Sequence, residues 1–121
     1  MPELLAVLAG TVAAFIVGST YYALLVSDDG SAAQPRPWQL GVEVLRCLVL
    51  SAVVAGLAAQ AEITSAAGGL LLGLALWAGF PLVLWTGAML WERTPLRQAV
   101  LHGGDWLLKL LVLGVLVSVV Q

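Results

Sequence analysis

Residues 4–26 carry no charged side chain. At 1.5 Å per residue these 23 positions outspan a hydrocarbon core about 30 Å thick. Three more apolar stretches follow, at 40–61, 67–91 and 98–120. Inside a bilayer every backbone N–H and C=O must be satisfied internally, so only helices or a closed barrel can cross. Barrel strands would alternate apolar and polar residues over about ten positions, and no such alternation is present. The sequence therefore predicts an all-α integral membrane protein. No basic residue precedes the first stretch, where Glu3 is the only early charge, so it reads as a retained helix rather than a cleaved signal peptide. Composition agrees: 61% of the 121 residues are hydrophobic and 10% charged, against about half and about a quarter in a soluble domain. That excludes a soluble enzyme. Five Lys and Arg against seven Asp and Glu, a net charge of −2, exclude a nucleic-acid binder. The single cysteine, Cys47, excludes a disulfide framework.

Short connections make consecutive helices antiparallel, which predicts one membrane domain over 1–121 built as a four-transmembrane-helix up-down bundle. The polar run Ser27-Asp28-Asp29-Gly30-Ser31 and then Pro35-Arg36-Pro37 form its longest loop. Pro81 lies inside the third span and deprives the Trp77 carbonyl of its helical donor, so a kink is expected there. Arg36, Arg93 and Arg97 belong to the first and third loops and the adjacent helix ends. By the positive-inside rule these face the cytoplasm, which puts both termini outside an inner membrane. Trp38, Trp91, Tyr21 and Tyr22 fall at the same boundary, where amphipathic rings settle. Small residues recur every fourth position at Gly10, Ala14 and Gly18, and again at Gly69 and Gly73. Such stripes let helix backbones approach closely. They serve contacts within the bundle or contact with a second copy of the chain, the candidate protein partner alongside the lipid bilayer.

The informative residues are the charges within the spans. On the fourth span Gln98, His102, Asp105 and Lys109 are spaced 4, 3 and 4 apart, an arc of about 60° at 100° per residue. Asp105 would lie roughly 10 Å and Lys109 roughly 16 Å below the level of Gln98. On the second span Gln39, Glu43 and Arg46 share a face with Leu50, Val53, Leu57 and Gln60. A charge near the bilayer centre costs about 2.5–3.5 kcal/mol on insertion scales. Both polar stripes are therefore expected to turn inward, Arg46 meeting Asp105 and Glu43 reaching His102 or Lys109. Asp105 also precedes Lys109 by four residues, the favourable order for a pair on one helix. Tyr22 can reach this cluster from the first span.

Glu43, Arg46, Asp105 and Lys109 sum to zero charge, as a self-neutralising network that fixes helix register requires. An intramembrane ionisable cluster also marks a ligand, proton or ion path. The leading expectation is a non-enzymatic membrane protein, without cofactor or metal, whose cluster pins the helices and binds a small polar ligand. The alternative is a small dimeric proton- or ion-coupled transporter working through the same residues. The lone His102 cannot build a histidine-rich metal site. No nucleophile elbow accompanies it, and no phosphate loop or dinucleotide fingerprint appears.

Several stretches together resemble a known family. They are F-I-V-G-S-T-Y-Y at 15–22, L-W-A-G-F-P at 76–81, L-W-E-R-T-P at 90–95 and L-H-G-G-D-W-L-L-K-L at 101–110. In these the chain is similar to the small four-helix bacterial membrane proteins grouped as domain of unknown function 1761. The resemblance covers most of the chain except the first loop. It implies a polytopic membrane protein with no assigned activity and no known cofactor.

Overall fold

The computed structural model describes residues 2–26 and 36–121. Five helical segments follow in order: α1 (Pro2–Val26), α2 (Pro37–Gln60), α3 (Ala66–Gly79), α4 (Pro81–Trp91) and α5 (Leu96–Val120). There is no strand among the described residues. α3 and α4 form one span, Ala66–Trp91, so four helical units are long and apolar enough to cross a membrane. The polar loop expected at 27–35 lies outside the described residues.

Local chemistry places the helix ends. Pro37 opens α2 with its φ preset and no N–H to orphan, and the Arg36 N–H donates to Gln39 Oε1 at 2.9 Å. Ser65 caps α3, its hydroxyl accepting from Gly68 N–H at 3.0 Å. The expected break falls at Phe80, whose φ of −121° and ψ of −74° leave the helical region before Pro81 starts α4. The two short loops turn on residues in the left-handed region, Glu62 and Arg93, each at φ 57°. After α2 the Ile63 N–H returns to the Ala58 carbonyl at 2.9 Å, the long bond of a Schellman cap.

The bundle is built around α5, which packs against all four other segments, while α2 has no extensive packing on α3 or α4. The stripes explain the close approaches. A Cβ at Gly69 would fall onto the Gly114 carbonyl, and one at Gly73 onto the Leu110 carbonyl, so α3 and α5 cross almost backbone to backbone. On α1 a Cβ at Gly10 would meet Leu113 Cδ2 at 2.9 Å and Ser51 Oγ at 3.1 Å. Gly10, Ala14, Gly18, Gly69 and Gly73 are all buried within the chain. A contact with a second copy would have to draw on other residues.

Two orientations differ from expectation. The inward face of α2 is Cys47, Ser51, Val54, Ala55 and Ala58, about a third of a turn from the expected face at 100° per residue, whose Val53, Leu57 and Gln60 are exposed. On the observed face Ser51 lies against Gly10 of α1, where a Cβ would stand 3.1 Å from its hydroxyl oxygen. Trp38 and Trp91 are exposed, as boundary rings should be, but Tyr21 and Tyr22 are turned onto α5. Tyr21 donates to the Leu101 carbonyl at 2.7 Å, a lower-cost state for a phenol hydroxyl than burial unpaired.

Candidate functional site

Of the fourth-span stripe, His102, Asp105 and Lys109 turn inward and meet α1, α2 and α4, while Gln98 at its start is exposed. Lys109 is the hub. Its Nζ lies 3.1 Å from Asp105 Oδ2 on its own helix and donates to Glu43 Oε1 on α2 at 3.5 Å. Arg46 departs from expectation: it pairs with Glu43 Oε2 at 2.7 Å on its own helix rather than with Asp105. The rotation of α2 is the reason. It leaves the Arg46 side chain 59% exposed, whereas Lys109 is 8% exposed. The result is a row of alternating charge, Arg46–Glu43–Lys109–Asp105, running from the bundle's flank to its interior. Asp105 is the deepest member, with a side chain 5% exposed. Its Oδ1 is buried and has no hydrogen-bond partner.

Lys109 can reach both carboxylates because α1 presents no side chain at Gly18. A Cβ there would stand 2.7 Å from Lys109 Cε and 3.0 Å from its Nζ. Such relief matters because a buried ammonium is tolerable only with near-ideal partners.

One turn along α5, His102 has a different set of neighbours. The Tyr22 hydroxyl and His102 Nδ1 are 2.6 Å apart, and the Trp85 ring of α4 stacks on the imidazole at 5.0 Å, 8° from parallel. The two glycines that follow His102 have separate uses. Trp77 Nε1 donates to the Gly103 carbonyl at 2.8 Å, and a Cβ at Gly104 would collide with the Tyr21 hydroxyl. Both hold α1 and the third span against the turn of α5 that carries His102 and Asp105.

Tyr22, Glu43, Arg46, His102, Asp105 and Lys109 all line one cavity of about 590 Å³. Sequence reasoning missed the residues that shape its walls: Phe15, Gly18, Trp85 and Trp106. Trp85 and Trp106 left a readable signal, because both sit well inside a span, away from the boundaries where tryptophan usually anchors. Among the described residues no three His, Cys, Asp or Glu side chains gather where they could hold a metal ion.

Four apolar spans around a self-neutralising charged cavity define the class: a polytopic α-helical membrane protein with an internal polar site. A family model described as protein of unknown function (DUF1761) matches residues 5–118. The chain belongs to that family. No curated protein and no solved structure matches it.

Proposed function

We propose that this is a non-catalytic inner-membrane protein that binds a small polar ligand in its charged cavity, with the same charges holding α1, α2 and α5 in register. The observation that carries this reading is the buried, unpartnered Asp105 Oδ1 in a cavity of about 590 Å³. An unmet buried polar atom costs about 1–3 kcal/mol, and a donor on a bound ligand would offset that cost at Asp105, whose side chain lines the cavity. Binding is favoured over catalysis because His102 is engaged by a phenol and an indole ring, with no serine or cysteine at hydrogen-bonding distance.

Binding is favoured over passage by what lies beyond Lys109. Val54, Leu113 and Val117 fill the interior there, each 1% exposed or less, so the polar path has one end. Exposed Arg36, Arg93 and Arg97 mark the end of the bundle nearest the cavity, and the positive-inside rule assigns it to the cytoplasm, with both termini outside.

Access is the test. Ser19 is exposed and lines the cavity. In a Cys47→Ser background, Ser19→Cys should react rapidly with a membrane-impermeant methanethiosulfonate reagent in inverted vesicles and slowly in right-side-out ones. Slow reaction in both would remove the water-accessible site, and the opposite preference would reverse the topology.

A further inference from the structure

The polar cavity does not end at its charges. Glu43, Arg46, Lys109 and Trp106 also line a second, mostly apolar hollow that runs along α2 past Leu50 and Val53. Leu50, Val53 and Trp106 in turn border a third space of about 600 Å³, walled by α2 on one side and by Leu76, Phe80 and Leu84 on the other. Shared walls place the three side by side along α2. The third is a groove open sideways because α2 does not close onto α3 and α4, and Val53, Phe80, Val83 and Leu84 are all exposed.

The chemistry changes in order along this series. Its far part, toward the bilayer centre, is apolar. Next come Arg46, Glu43 and Lys109, which line both the apolar continuation and the cavity. Last comes Asp105, which lines the cavity alone and keeps an acceptor oxygen free. Hydrocarbon followed by a band that holds both cations and carboxylates is the complement of an amphiphile carrying a chain and a zwitterionic head, with the exposed Arg46 side chain open to a phosphate and Asp105 Oδ1 to an amine. The zero net charge of the row disfavours a purely anionic or purely cationic head. The aromatic rings of Trp106 and Tyr22 beside the cavity suit an ammonium group. The direction also agrees, since a lipid of the nearer leaflet would enter with its head toward the arginine-bearing end.

We infer that the ligand is a phospholipid with a primary-amine head, its ammonium donating to Asp105 Oδ1, its phosphate at Arg46, and its chain lying between α2 and the α3–α4 span. This rests on the reading of the cavity as a polar ligand site and names the ligand's class.

The test uses the full chain in maltoside detergent, titrated with lysophosphatidylethanolamine and followed by native mass spectrometry. One molecule should bind per chain. Lysophosphatidylcholine, which has no N–H to donate, and phosphoethanolamine, which has no chain, should each bind at least about tenfold more weakly. Val53→Trp fills the exposed groove without touching the charges, and should weaken the lysolipid by at least about tenfold while leaving phosphoethanolamine unchanged. Phosphoethanolamine binding as tightly as the lysolipid would overturn the groove's role and leave the polar-site reading standing. Equal binding of the choline and ethanolamine lysolipids would overturn the amine at Asp105. Binding of none of the three overturns the inference, and Ser19→Cys labelling then decides separately whether the polar site survives.

Discussion

Gly18 on α1 lies against the end of the Lys109 side chain, close enough that a methyl group at position 18 would stand 2.7 Å from Lys109 Cε. The neighbour is a flexible side chain, so it can yield. At Gly73 the neighbour is the Leu110 backbone, which cannot. Gly18→Ala should therefore cost about 1 kcal/mol, and Gly73→Ala about 3 kcal/mol or more, since overpacking a rigid contact displaces whole helices. Thermal unfolding of both variants in detergent checks this. Equal losses would mean that the α3–α5 crossing is less tight than described.

The Lys109–Asp105 pair predicts a strong non-additivity. Lys109→Met leaves the buried Asp105 carboxylate without its nearest counter-charge and should destabilise by about 3 kcal/mol. Adding Asp105→Asn removes the stranded charge and should restore all but about 1 kcal/mol. A double-mutant cycle by denaturant titration gives the coupling. Additive losses would show that the two side chains do not share a site in the folded protein.

How far this site could be read from the sequence depends on which residue is asked. Asp105 and Lys109 were legible because a 4-residue step on one helix fixes their relation before any packing is known. The break at Pro81 was legible for the same local reason. Arg46 was misassigned because α2 is rotated so that Cys47, Ser51, Val54, Ala55 and Ala58 face inward and Val53 and Leu57 do not. Apolar periodicity does not reveal this choice because, beyond Arg46, α2 carries no charge on any face. The Trp85–His102 stack joins residues from two different spans, and nothing in the spacing of either one encodes it.

Glu62 holds a left-handed φ of 57° at the end of α2, a conformation that costs a side-chain-bearing residue roughly 1–2 kcal/mol. The position is exposed and makes the turn into α3. Glu62→Gly should raise stability by about 0.5–1 kcal/mol, the strain relieved being partly offset by the greater freedom of glycine when unfolded. The measurement is again thermal unfolding in detergent, with Glu62→Ala as the control that keeps the strain and should not stabilise. If both variants behave alike, the left-handed turn is absent in solution.

The packed interior beyond Lys109 predicts what reconstituted protein will fail to do. Water or ions leaving the cavity away from the arginine-bearing end would have to pass Val54, Leu113 and Val117, which are fully buried against one another and their neighbours. Ser51 and Ser118 are enclosed in the same region with no hydrogen-bond partner for either hydroxyl, so no polar chain bridges the gap. Proteoliposomes holding a pH, Na⁺ or K⁺ gradient should therefore dissipate it no faster than protein-free vesicles. Accelerated dissipation that Glu43→Gln abolishes, with the melting profile unchanged, would replace a one-ended binding site with coupled transport. Accelerated dissipation unaffected by Glu43→Gln would place a leak elsewhere in the bundle and leave the charged cavity out of it.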